Sequence, residues 1–96
     1  MQQPFVYILA SRKNGTLYIG VTSDLRQRIW QHRTGAVPGF SHTYNVTQLV
    51  YYEMHDTMAD AILREKRLKK WRRAWKIRLI EELNSDWHDL FDHINA

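Results

Sequence analysis

Ninety-six residues, 44% hydrophobic and 25% charged, suffice for one compact core and exclude both a second large domain and a disordered tail. The chain has no cysteine, which excludes disulfides, thiolate nucleophiles and Cys-based zinc sites, and it lacks the run of roughly 20 apolar residues that crosses a bilayer. Its net charge of +4 conceals an asymmetry: residues 1–78 carry 14 Lys+Arg against five Asp+Glu, whereas 79–96 carry five acids and no Lys or Arg.

Phe5–Leu9 and Thr16–Val21 are short runs of aromatic and β-branched residues on either side of Ser11-Arg12-Lys13-Asn14-Gly15, the pattern of an antiparallel hairpin. Any even-length turn puts Tyr7 and Tyr18 on one face. A four-residue loop at 11–14 would set them directly opposite, and a two-residue Asn14-Gly15 turn would move them apart along that face. Ser23 or Asp24 can cap a helix to about Arg33, ended by Gly35. Gly35–Val46, with Pro38 and Gly39, has no period and is expected as a surface loop open to functional contacts. Thr47–Glu53 is expected as a third strand, and Thr57 with Asp60 opens a helical region to about Leu83, broken near Trp71. Trp87–Ile94 is expected as a short acidic helix with Trp87, Leu90, Phe91 and Ile94 as its apolar stripe. The order β-β-α-β-α-α predicts an α/β fold, a three-stranded antiparallel sheet flanked by helices. One domain is expected over 1–96, with a core at about 4–80 and an acidic tail over 81–96. Met1–Ala10 lacks the basic start and cleavage site of a signal peptide, so the cytoplasm is the expected compartment.

Three placements carry chemistry. Two phenols, Tyr7 and Tyr18, share a surface of the hairpin, although strand tyrosines are more often core residues with satisfied hydroxyls. On the first helix, Arg28 and His32 share or border the stripe of Leu25 and Ile29. A guanidinium at a core edge needs an anion, either a structural carboxylate or a phosphate gaining charge. On the helix after Thr57, Glu65 falls inside the apolar face with Met58, Ala61, Ile62 and Leu68, so its carboxylate calls for Arg28 or a divalent ion as partner. Nine of the 14 cations lie between Arg64 and Arg78, which favours a polyanion, with Lys69, Lys70, Arg72 and Arg73 as candidate nucleic-acid contacts. A solvated helix face would look the same. Tyr44, Tyr51, Tyr52, Trp71 and Trp75 are either core aromatics or platforms for unpaired bases. The five histidines show no HExxH spacing, and no phosphate-cradling glycine loop or Ser-His-Asp order is legible.

Phe5-Val6-Tyr7, then Leu17-Tyr18-Ile19-Gly20, then Arg28, His32 and Glu65 resemble the GIY-YIG nuclease family in order and spacing, over nearly the whole chain. The chain is most similar to small standalone members of that family, which are related to the N-terminal nuclease domain of the bacterial excinuclease. Those members also carry stretches like Leu49-Val50-Tyr51-Tyr52-Glu53 and Trp87-His88-Asp89-Leu90. The resemblance implies that Tyr7 and Tyr18 are the motif tyrosines, Arg28 the helix arginine, His32 a second helix position held by His or Tyr, and Glu65 the metal-binding glutamate. Phe5 and Val6 depart from Gly-Ile of the first motif. Val21 stands where some members place a lysine near the reacting water. Asn84 lies too far beyond Glu65 to be assigned the family's downstream asparagine role. The implied activity is a metal-dependent endonuclease acting on phosphodiester bonds in nucleic acid, DNA favoured over RNA, single-stranded or branched substrates included. Glu65 would hold Mg²⁺ or Mn²⁺, one tyrosine would accept a proton from water, Arg28 would stabilise the charged phosphorus centre and His32 would hydrogen-bond a tyrosine or phosphate. The alternative is a noncatalytic nucleic-acid-binding module on the same fold.

Overall fold

Strand β1 (Phe5–Ala10) is buried from Val6 to Ala10, as a strand covered on both faces must be, and this explains its unbroken apolar run. It is the middle of a three-stranded antiparallel sheet, between β2 (Leu17–Thr22) and β3 (Gln48–Met54). Helices α1 (Leu25–Thr34), α2 (Met58–Lys70), α3 (Arg73–Leu83) and α4 (Phe91–Ile94) complete the α/β fold. The computed structural model describes residues 3–36, 39 and 43–94. Pro38, expected in a functional loop, lies outside the described residues. Among those described, no helix is long and apolar enough to cross a membrane.

Strand alternation divides the core in two. Val6, Ile8 and Ala10 pack with Ala61 and Leu68 of α2, Ile80 of α3 and Trp87. Tyr7 and Leu9 face the other way, onto Leu25 and Ile29 of α1 and Leu49 of β3, with Leu90, Phe91 and Ile94 packed alongside. The helix caps fall where expected. Asp24 accepts from the Gln27 amide at 3.2 Å, Gly35 takes the left-handed conformation after α1, and Thr57 accepts from the Asp60 amide at 3.1 Å. The expected break near Trp71 is real: Trp71 and Arg72 are both extended, separating α2 from α3.

Two expectations are corrected. Ala10 pairs with Leu17, so the hairpin connection is the six residues 11–16, neither of the shorter turns. It is closed by Ser11 N–H to Thr16 O at 3.0 Å, Thr16 N–H to Ser11 Oγ at 3.0 Å and Gly15 N–H to Arg12 O at 2.9 Å. Six is still even, so Tyr7 and Tyr18 keep a common face, but Tyr7 now lies opposite Gly20 and Tyr18 opposite Leu9. The second correction is at the C-terminus, where the helix covers only Phe91–Ile94 and Trp87 takes a positive φ of 58°. This segment passes around the β3 edge. Trp87 packs on one face of the sheet and Leu90, Phe91 and Ile94 on the other, an arrangement a single helical stripe cannot achieve.

The crossing is held by hydrogen bonds. Asn84 Nδ2 donates to Val50 O at 3.1 Å and to His88 O at 2.9 Å, its Oδ1 accepts from the His88 amide at 3.0 Å, and the Leu90 amide donates to Leu49 O at 2.7 Å. Asn84→Ala leaves these buried partners unsatisfied and should cost about 1–3 kcal/mol. Leu83→Ala at a side chain 81% exposed should cost about 0.5 kcal/mol or less. Equal urea midpoints for the two variants would refute the assignment.

Candidate active site

Gly20 determines where Tyr7 points. A Cβ at position 20 would lie 2.3 Å from the Tyr7 hydroxyl oxygen and 2.4 Å from Cζ, so only glycine lets the phenol lie across β2. The ring thereby aims its hydroxyl at α1, where it meets His32 Nε2 at 3.0 Å. His32 is buried on the stripe of Leu25 and Ile29, as the helical spacing predicts. Tyr18 completes the group from β2, its ring centroid 5.2 Å from His32 and 6.3 Å from Tyr7. Tyr7 is 1% exposed, whereas Tyr18 is only half-buried, so Tyr18 is the phenol nearer solvent.

Arg28 precedes His32 by one helical turn, is half-buried, and acts electrostatically on both Tyr7 and His32. Glu65, on α2, lies near enough to act electrostatically on Tyr7. Its side chain is 14% exposed and pairs with Lys69 Nζ at 3.4 Å, so Lys69, not Arg28, is its cationic partner among the described residues. The five residues singled out in the sequence are thus brought together from β1, β2, α1 and α2. Burial first, then the Tyr18 phenol and Glu65, push the Tyr7 pKa above the ordinary phenol range against the opposing pull of Arg28. Burial and then Arg28 lower that of His32, which is neutral at pH 7 and shares a hydrogen bond with the Tyr7 hydroxyl at Nε2.

The basic strip is divided in its commitments. Arg73 Nη2 donates to Asn14 O at 2.9 Å and Gly15 O at 2.5 Å, clamping the hairpin turn to α3. The Arg72 guanidinium lies 5.5 Å from the Trp75 ring centre, and Lys70 and Arg72 are exposed. Asn84 sits at the β3 edge, across the sheet from Tyr18 on β2, and serves packing.

One cluster escaped the sequence reading. Glu53 Oε1 accepts from the Tyr51 hydroxyl at 2.7 Å, and Oε2 meets His55 Nε2 at 2.5 Å and Arg64 Nε at 3.0 Å. Burial raises the Glu53 pKa, but the bonds from Tyr51, Arg64 and His55 outweigh it and leave the carboxyl below its usual range. The i, i+2 spacing of Tyr51, Glu53 and His55 was the available signal, since such residues share one side of an extended chain.

A model of the GIY-YIG catalytic domain matches residues 3–78. A UPF0213 protein of Staphylococcus saprophyticus is 37% identical over 82 residues, covering 85% of this chain and 99% of the relative. One from Staphylococcus aureus is 35% identical over the same shares. The solution NMR structure of a UPF0213 protein from Bacillus halodurans superposes with a TM-score of 0.56 at 26% identity, covering 93% of each chain.

Two measurements test this geometry. Gly20→Ala should cost about 1–3 kcal/mol through the collision with Tyr7 and close to nothing in a Tyr7→Ala background; additive costs in that double-mutant cycle would refute the close approach. Because the folded-state pKa of His32 is below the ordinary value of 6.5, the unfolded chain binds the proton more readily, so stability present above pH 6.5 is lost as pH falls toward the folded-state value. Melting scans from about pH 7 to 5 should show a smaller decline for His32→Gln than for the parent chain.

Proposed function

The chain belongs to the GIY-YIG nuclease family, and on that premise we propose that it is a metal-dependent endonuclease hydrolysing phosphodiester bonds in DNA. The observation that supports this most is the meeting of Tyr7, Tyr18, His32, Arg28 and Glu65 from four separate elements, with Tyr18 on the solvent side.

The donor set fits a hard divalent cation of the Mg²⁺ type. Among the described residues no group of three or more His, Cys, Asp or Glu is assembled, and Mg²⁺ is commonly held by one or two carboxylates with waters and substrate phosphates. Glu65 is the carboxylate that would hold it, and the 54% exposure of Lys69 leaves that ammonium room to swing away. When bound, Mg²⁺ or Mn²⁺ supplies positive charge at the phosphate.

The protein's own groups divide the remaining work. Tyr18, the more exposed phenol, orients the attacking water and, in its phenolate form, takes up the water's proton to become the phenol as the new phosphorus–oxygen bond forms and the bond to the leaving oxygen breaks, the leaving oxygen drawing its proton from solvent. Tyr7 stays protonated because of its burial, and its bond to His32 fixes the imidazole ring beside Tyr18. Arg28 meets the negative charge that grows on the phosphate oxygens. Lys69, Lys70 and Arg72 hold the strand by its phosphates, joined by the part of the Arg73 guanidinium not engaged by the hairpin turn.

The test is cleavage of end-labelled single-stranded, duplex and branched DNA, and of RNA, with Mg²⁺, Mn²⁺ or EDTA. Glu65→Ala, Arg28→Ala and Tyr18→Phe should each lower turnover by about 10²–10⁴ while leaving affinity within a few-fold. Lys70→Ala with Arg72→Ala should do the reverse, weakening binding and flattening its salt dependence. Cutting that persists in EDTA, or in folded Glu65→Ala, would rule the mechanism out. Binding without cutting on every substrate would favour the noncatalytic module.

A further inference from the structure

The break between α2 and α3 exposes an aromatic corner that the proposed cleavage step does not use. The rings of Trp71 and Trp75 meet edge to face, 6.1 Å apart at 84°. Each also carries a guanidinium: Arg64 lies 5.1 Å from the Trp71 ring centre and Arg72 5.5 Å from that of Trp75. The two tryptophans differ in what holds them. Trp71 packs against the core, and its Arg64 is fixed by the Glu53 carboxylate, so it is a rigid wall. Trp75 is 45% exposed. Together with Arg78, Leu79 and Glu82 they line a cleft of about 290 Å³.

The surroundings choose the occupant. An apolar protein segment would have to dock beside the Arg72 and Arg78 guanidiniums, whereas a nucleic-acid strand brings the complementary charge and a flat π surface together. Within a duplex both base faces are already stacked, so an aromatic wall is offered only to an unpaired base. Arg72 and Arg78 flank the cleft for the adjoining phosphates. Glu82 can accept from an exocyclic amino group, as carboxylates do from cytosine N4. The corner is also tied to the proposed active site, because Trp71 follows Glu65 by six residues, about 9 Å of helical rise.

We propose that the Trp71–Trp75 cleft is a binding subsite for an unpaired nucleobase, which gives the protein a preference for strands with single-stranded character beside the scissile bond. This rests on the reading of the chain as one that acts on nucleic acid.

The experiment measures binding of the full chain in EDTA, where no cutting intervenes, by fluorescence anisotropy. The probes are a labelled single-stranded oligonucleotide of about twelve residues, within the range of known single-strand site sizes, and the matching duplex. Trp75→Ala should lose on the order of tenfold in affinity for the single strand and change duplex affinity by about twofold at most; Trp75→Phe, which keeps an aromatic face, should recover most of the loss. Unaltered single-strand binding by Trp75→Ala, or an equal loss on both probes, would overturn the subsite. If Trp75→Ala is unaltered while the parent chain still binds and cuts, the subsite alone fails. Failure of the parent chain to bind either probe would remove the nucleic-acid reading and the subsite with it. Thermal melting of the variants separates loss of binding from loss of fold.

Discussion

The hydrogen bond between the Tyr7 phenol and His32 Nε2 ties the central strand to α1, and much of the molecule is arranged so that it can form. Both groups are buried, so each would bear the full cost of desolvation if the other were removed. Forming it requires β2 to pass beneath the phenol without a side chain, which is the role of Gly20. It also requires α1 to present His32 from the same stripe that buries Leu25 and Ile29. The bond is thus a constraint on three elements at once. It holds one polar pair in the core and leaves Tyr18, Arg28 and Glu65 around it with partial access to solvent.

What the sequence disclosed, and what it concealed, follows from which quantities are local. Parity is local: any even turn puts Tyr7 and Tyr18 on one face, so their shared surface was legible although the turn length was not. Register is not local. It depended on Ser11 and Thr16 closing a six-residue connection, and a serine side chain bonding a backbone amide leaves no periodic mark. The positions of Arg28, His32 and Glu65 on apolar helix faces could be read from spacing, because a charged residue on such a face is an anomaly in its own right. The Glu53 network, on a half-buried strand, produced no such anomaly.

The C-terminal segment shows the same limit from another side. Its apolar residues recur at helical spacing, yet Trp87 and Leu90 pack on opposite faces of the sheet. What overrides the helix is the open edge of β3, whose Leu49 and Val50 carbonyls need donors. Asn84 and the Leu90 amide supply them, and Asp89 accepts from the Leu49 amide at 3.3 Å. Asp89 also pairs with Arg33 of α1, so an acid of the tail neutralises a cation of the main body. The tail's acidity therefore has a packing role in addition to its effect on net charge.

Charge is where composition alone misleads most. The nine cations between Arg64 and Arg78 form one block in the sequence but not one functional surface. Arg64 holds Glu53 and covers Trp71, Arg73 clamps the hairpin turn, and Lys69 balances Glu65. Lys76 Nζ donates to Lys69 O at 3.4 Å across the α2–α3 break. Each of these would have to give up an internal partner to meet a phosphate fully. The salt dependence of nucleic-acid binding counts only cations that do so. A slope well below that for nine contacts is therefore the physical expectation for this surface, with the exposed Lys66, Arg67, Lys70, Arg72 and Arg78 contributing most. A shallow slope would mean that scaffold and substrate compete for the same guanidinium and ammonium groups, and it would not argue against nucleic acid as partner.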